Sequence, residues 1–147
     1  HLSIRRQRQM CIRDSISTAL GIAATRKETV AVLGDLSFLH DLTGLIHQED
    51  INLKIIVIDN NGGGIFSTLP HRGVSGFETI FGTPHNLDIK KIAESFGLAT
   101  ASVKNQSELQ AEFKKPVNGL SLVVVTVPDR ESNADHLKAI YDSMSSI

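Results

Sequence analysis

The spacing of apolar residues changes period repeatedly along this chain, and each change marks an element. Small and apolar residues recur at helical spacing over Ser17–Thr25 (STALGIAAT), with Ser17 placed as an N-cap. Thr29–Leu33 (TVAVL) is a short β-rich run that stops at Gly34-Asp35. Helical spacing returns over Phe38–His47, where Phe38, Leu42 and Leu45 fall on or near one face. Leu53–Ile58 (LKIIVI) is a continuous β-branched run, the signature of a strand buried on both faces of a parallel sheet. Asp59–Gly64 (DNNGGG) breaks it sharply. Ser67–Gly82 contains Pro70, Gly73 and Gly76 with little periodicity, which predicts a mobile loop around a short helical turn.

Regular spacing resumes with a predicted helix over Asp88–Phe96, capped by Asp88 and stopped by Gly97. A strand over Ala99–Val103, a helix over Ser107–Phe113 and a strand over Ser121–Val127 follow. A last helix spans Asn133–Met144, with Leu137, Ile140 and Met144 at core spacing. Strands alternating with helices predict an α/β domain built on a doubly wound parallel sheet with helices on both faces.

Composition adds boundaries to this picture. The 147 residues are 41% apolar and 21% charged, with a net charge of −1, as in a soluble globular domain. Acids and bases are interspersed, which argues against nucleic acid or an anionic membrane as partner. No apolar run nears the roughly 20 residues of a membrane span. Cys11 is the single cysteine and cannot form an internal disulfide, so a cytoplasmic location is expected. His1–Ser15 is basic and without period, lacks the apolar core of a signal peptide, and includes MCIRDS, which one reading frame of a sequencing-library transposon end would encode. Residues 1–15 are therefore read as a non-native or disordered leader, with a real basic arm as the alternative, and residues 16–147 as the domain.

Two loops carry the candidate chemistry, and both follow strands. Gly34-Asp35 ends the first and Asn60-Asn61-Gly62 the second, 25 residues after Asp35. Ligands of open α/β sheets collect outside the carboxyl ends of the strands, so adjacent strands would bring these loops together. Mg²⁺ takes octahedral oxygen ligands at about 2.1 Å, and often shares them between protein and phosphate. Asp35 offers a carboxylate oxygen, Asn60 an amide oxygen and Gly62 a backbone carbonyl. A helix starting near Ser37 would add its N-terminal amides. Taken singly, each loop also reads as an ordinary turn.

The pair Gly34-Asp35 and Asn60-Asn61 resembles the fingerprint of thiamine-diphosphate (ThDP) enzymes. GDLSFLHDLTGL (Gly34–Leu45), NNGGGIFSTLP (Asn60–Pro70), IFGTPHNLD (Ile80–Asp88) and ISTALGIA (Ile16–Ala23) more narrowly resemble the 2-succinyl-5-enolpyruvyl-6-hydroxy-3-cyclohexene-1-carboxylate synthases of menaquinone biosynthesis. The resemblance implies the pyrophosphate-binding domain of the ThDP fold. It implies a transferase that decarboxylates 2-oxoglutarate and adds the resulting carbanion to isochorismate in 1,4 fashion. It assigns Asp35, Asn60 and the Gly62 carbonyl to Mg²⁺ or Mn²⁺, and Gly34, Leu36, Ser37, Gly62 and Gly63 to the cofactor. Ile65 and Phe66 would wall the isochorismate ring. Leu36 stands where the general fingerprint has glycine, and Asp59 where many relatives have the first asparagine, so Ile65 sets the register that makes Asn60 the ligand.

A cofactor-tautomerising glutamate belongs to the family's N-terminal domain, usually that of a partner subunit, and a substrate-binding arginine precedes the ISTALG helix. The resemblance therefore implies a homodimer or homotetramer in the intact enzyme and no turnover by these residues alone. His40, His47, His71 and His85 lack zinc spacing and read as structural or solvent-facing, with His85 set apart by its place beside the irregular loop. The competing readings are another ThDP enzyme, such as an acetohydroxyacid synthase or 2-oxoacid decarboxylase, and a non-catalytic flavodoxin-like binding module.

Overall fold

The computed structural model describes residues 15–46 and 50–145. Four strands, β1 (Thr29–Gly34), β2 (Leu53–Asp59), β3 (Ala99–Val103) and β4 (Leu120–Thr126), form one parallel sheet in the order β1-β2-β4-β3. Among the described residues five helices accompany them: α1 (Ser15–Ala23), α2 (Asp35–His40), α3 (Ile89–Ser95), α4 (Gln106–Lys114) and α5 (Arg130–Ser145). The doubly wound α/β architecture is thus present. Among the described residues no helix is long and apolar enough to cross a membrane.

Alternation along β2 decides what each face buries. Leu53, Ile55 and Val57 join Leu122 and Val124 of β4 under α1, α2 and α3, with Ile16, Phe38, Leu45 and Ile89 packed into the same cluster. Ile56, Val123, Val125 and Val103 form a smaller cluster on the opposite face, against Leu109 of α4. That second face is covered unevenly: Val30 and Val32 of β1 remain 45% and 59% exposed. Lys54 is buried in β2 because its Nζ reaches past the strand and donates to the Glu112 and Lys115 carbonyls, at 2.7 and 2.8 Å, at the end of α4. Carbonyls at a helix C-terminus, where the dipole is negative, welcome such a cation.

Several boundaries differ from the sequence expectation. The predicted helix over Phe38–His47 is two elements, α2 and a 3₁₀ turn over Leu42–Ile46, and it starts at Asp35 rather than Ser37. His47 lies outside the described residues. The break falls at Asp41, which is buried and turned back to accept from Ser17 N–H at 2.7 Å and Ser17 Oγ at 2.9 Å. Ser17 is therefore not the N-cap. Helix α1 begins at Ser15, a residue assigned to the leader, and its first turn is capped from Asp41 across 24 residues of sequence. Helix α5 is longer than expected, starting at Arg130 after Asp129, which accepts from Ser132 N–H and Oγ, each at 2.9 Å. Its predicted core residues Ile140 and Met144 are 44% and 65% exposed, and Leu137 is half-buried beside a cleft. Helices α3 and α4 are capped by Asp88 and Asn105, which accept from Lys91 and Glu108 amides.

Replacing Asp41 by Ala leaves two Ser17 donors without their acceptor and should cost about 1–2 kcal/mol, read as a lower urea midpoint at unchanged m-value. A second expectation concerns acid. The Asp129 carboxylate is held below its ordinary value by the Ser132 amide and hydroxyl, and that of Asp88 chiefly by the Lys91 amide. A depressed folded-state pKa stabilises above the unfolded value of about 3.9, and the gain is lost as pH falls through the folded value. Asp129→Asn should therefore lose stability less steeply than wild type below about pH 4 in pH-dependent urea melts.

Candidate functional site

Strand register brings the two loops into contact. Gly34 of β1 lies beside Ile58 of β2, so Asp35 and Asp59-Asn60 leave the sheet together at its carboxyl edge. The sequence gap closes to a hydrogen bond of 2.8 Å from Gly62 N–H to Asp35 Oδ2. Asp35 is only 2% exposed. Leu36 N–H donates to its Oδ1 at 2.6 Å, and His85 Nε2 lies 3.2 Å from Oδ2. Among the described residues no Lys or Arg pairs with it. A carboxylate has about four acceptor positions; Leu36 takes one on Oδ1, and Gly62 N–H and His85 share Oδ2.

Asn60 stands against Oδ2, the same oxygen that Gly62 and His85 reach. One terminal atom of its carboxamide lies 2.9 Å from the Gly62 carbonyl oxygen and 3.3 Å from Asp35 Oδ2. With nitrogen in that place the amide donates to both. With oxygen there, three oxygens face one another, and oxygens on adjacent corners of an octahedron of 2.1 Å radius are ~3.0 Å apart. A half-turn of one amide thus converts a closed hydrogen-bond ring into a three-oxygen cation cradle. Local backbone makes this approach possible: a Cβ on Gly64 would lie 2.4 Å from Asn60 Nδ2. Gly62 has φ +135°, which L side chains rarely adopt, and a Cβ there would meet the Gly82 carbonyl at 2.3 Å.

A second set of groups shares Asp35. Single ligand atoms of Asp35, Asp59 and His85 lie within 4.8 Å of one another. The imidazole argues against its use as a ligand set. His85 Nδ1 accepts from Leu87 N–H at 3.0 Å, so the neutral ring carries its proton on Nε2, where a metal would need a lone pair. Oxygen atoms alone also suit a hard cation better.

A cleft of about 510 Å³ opens over these groups. Gly34, Asp35, Leu36, Ser37, Asn60, Gly62, Gly63, Ile65 and Phe66, the residues assigned from sequence, all line it. Among the described residues its lining contains no Lys or Arg. Ile65 is 71% exposed, whereas Phe66 is half-buried and packs on Phe81 with ring centres 5.5 Å apart. Because α2 has only six residues, its dipole adds little to the cleft. His40 is exposed and His71 stacks on Phe81 at 5.0 Å, away from Asp35.

Sequence reasoning missed the far wall and the back support. Asn133 and Leu137 of α5 line the cleft from the last helix. Ser67–Gly82, expected as a loop around a short helical turn, contains a wide helical turn over Glu78–Gly82 and is preceded by a 3₁₀ turn over Gly64–Thr68. The wide turn is pinned by Arg130, whose Nη2 meets Glu78 Oε2 at 2.5 Å. His85 touches Asp35 from 50 residues away, and its only sequence signal was its place in FGTPH.

The thiamine pyrophosphate enzyme C-terminal TPP-binding domain family matches residues 10–127 (thiamine pyrophosphate being ThDP). The 2-succinyl-5-enolpyruvyl-6-hydroxy-3-cyclohexene-1-carboxylate synthase of Lactococcus lactis subsp. cremoris (strain SK11) is 42% identical over 126 residues, 83% of this chain and 23% of that protein. Its namesake in Paenarthrobacter aurescens (strain TC1) is 38% identical over 138 residues, 86% of this chain and 24% of that protein. The X-ray structure of a protein described as a thiamin diphosphate-dependent enzyme, from Mycobacterium smegmatis, aligns with a TM-score of 0.59 at 25% identity, over 80% of this chain and 22% of that one. The chain spans less than a quarter of the length of these curated relatives. With a parallel sheet whose strand-end loops converge on Asp35, and with that match over most of its length, the chain belongs to the family of thiamine pyrophosphate enzyme C-terminal TPP-binding domains.

Proposed function

We propose that this domain anchors the diphosphate of ThDP through Mg²⁺ or Mn²⁺ in a 2-succinyl-5-enolpyruvyl-6-hydroxy-3-cyclohexene-1-carboxylate synthase, which takes 2-oxoglutarate and isochorismate as substrates. The observation that carries the reading is the cradle at the cleft floor: a buried carboxylate, a carboxamide and a carbonyl converge, with no basic side chain in the lining among the described residues. A diphosphate entering such a cleft would face the Asp35 charge unless a cation lay between them. Asp35 and Asn60 hold that cation by side chain and Gly62 by its carbonyl.

Bound there, ThDP supplies the electron sink for loss of CO₂ from a 2-oxo acid. The protein's own part is orientation and exclusion of water. Leu36, Ser37 and the backbone of Gly34 and Gly63 flank the diphosphate. Phe66, braced by Phe81, and the outward Ile65 offer an apolar surface to a cyclic substrate. The relatives' shared name and the 38–42% identity support the choice of reaction. The intact enzyme is a homodimer or homotetramer, and residues 1–147 alone turn over no substrate.

Calorimetric titration of the full-length enzyme with ThDP should show affinity that depends on Mg²⁺. Asp35→Ala should abolish that dependence. Gly64→Ala, which drives a methyl group into Asn60, should weaken binding roughly tenfold, about 1.4 kcal/mol. ThDP affinity indifferent both to Mg²⁺ and to Asp35→Ala would defeat the cradle. The reaction is checked separately: 2-oxoglutarate should be consumed only when isochorismate is present, whereas equal consumption without it would mark a simple 2-oxoacid decarboxylase.

A further inference from the structure

The His85 imidazole is nearly buried, with 9% of its side chain exposed, and neither the fingerprint residues nor the apolar wall accounts for it. Its ring is held at both nitrogens. Leu87 N–H donates to Nδ1 at 3.0 Å, which leaves the ring proton on Nε2, and Nε2 lies 3.2 Å from Asp35 Oδ2. Asp59 Oδ1 is next nearest at 3.8 Å, and it is already engaged by Asn61 N–H at 3.1 Å.

The segment carrying His85 is tied to the loop carrying Asn60 and Gly62. Asn61 Nδ2 donates to Asn86 Oδ1 at 2.9 Å, and Asn86 N–H donates to Asn61 Oδ1 at 2.8 Å. This reciprocal pair needs both asparagines in left-handed backbone, with φ 61° and 51°, which asparagine tolerates better than most residues. On the other side of His85, Gly63 N–H donates to the Gly82 carbonyl at 2.8 Å. The imidazole is thus delivered to Asp35 by a strap fastened to the same loop on both sides.

We propose that His85 is a positioning residue: its Nε2–H fixes the rotation of the Asp35 carboxylate in the orientation that grips the cation, and His85 does not itself bind metal. This rests on the cation cradle proposed above. Gly62 N–H and His85 Nε2–H both reach Oδ2, so turning the carboxylate away from the ring breaks both bonds. Outer partners of this kind are typically worth about 10–100-fold in metal affinity.

The test uses Mn²⁺ as probe, bound to the full-length enzyme with ThDP and followed by electron paramagnetic resonance. His85→Ala should weaken Mn²⁺ binding by about 10–100-fold. His85→Gln, whose amide nitrogen can donate from near the Nε2 position, should recover most of the loss. Pulsed spectra of the wild-type Mn²⁺ complex should contain no coupling from a directly bonded protein nitrogen, a readout that needs no variant to fold. Unchanged affinity in His85→Ala, a glutamine variant no better than alanine, or a directly bonded imidazole signal would each overturn the positioning role while leaving the cradle intact. Wild-type Mn²⁺ binding insensitive to Asp35→Ala would instead remove the cradle, and the role of His85 with it.

Discussion

A carboxylate buried at the end of a strand is the constraint around which this structure is organised. Asp35 is 2% exposed and, among the described residues, has no Lys or Arg partner. Removing a charge from water costs several kcal/mol even after relaxation, so the fold must return what solvent gave. It does so with N–H groups from three places: the following residue Leu36, the glycine loop after β2, and His85 from beyond the wide turn. Each donor comes from a different part of the chain, so holding one carboxylate means holding three segments at once.

Those segments are locked to each other as firmly as to Asp35. Gly62 and Gly63 press so closely on residues 81–83 that a Cβ on either would fall 2.3 Å from a carbonyl oxygen. Behind them, Phe66, Phe77 and Phe81 stack at 5.5 and 5.7 Å, an arrangement in which aromatic pairs contribute beyond their buried area. Arg130 runs from the start of α5 to Glu78 and lies against Gly82, where a Cβ would meet its Nη1 at 2.2 Å. The last helix therefore supports the cleft twice, through Arg130 from behind and through Asn133 and Leu137 from the side. These positions are joined to the Asp35 loop through ring stacking, the Arg130–Glu78 pair and close glycine contacts.

What was legible in the sequence was whatever depends on local pattern. Continuous β-branched runs marked β2 and β4, and Gly34-Asp35 and Asn60-Asn61 marked the turns after β1 and β2, because strand ends are where such residues sit. Register then carried both loops to one edge, so the sequence residues fell in one cleft. What stayed hidden depends on contacts made across the fold. Asp41 looked like the middle of a helix, and only the position of α1 made it a cap for Ser17. Nothing in the LKIIVI run told how Lys54 could be buried; the carbonyls at the end of α4 supply its partners. Leu137, Ile140 and Met144 illustrate the limit from the other side: periodicity identifies an apolar face but not what lies against it, and here Ile140 and Met144 face outward. His85 could be suspected from its neighbourhood, yet its partner was set by the Asn61–Asn86 pair, which no spacing rule reveals.

On the proposed reading, the charge pattern of the cleft also dictates how its ligands depend on each other. A diphosphate alone meets Asp35 with no basic side chain among the described lining residues to offset the repulsion. A cation alone finds three protein oxygens, fewer than the six an octahedral ion takes, and must turn the Asn60 amide against its hydrogen bonds to Gly62 and Asp35. Together each removes the other's obstacle: the cation offsets the phosphate charge, and phosphate oxygens complete the coordination. Their binding is therefore positively coupled, and by linkage the same factor applies in both directions. The turn of Asn60 is the local two-state element in that coupling, and Gly64 is the residue whose missing side chain leaves space for it.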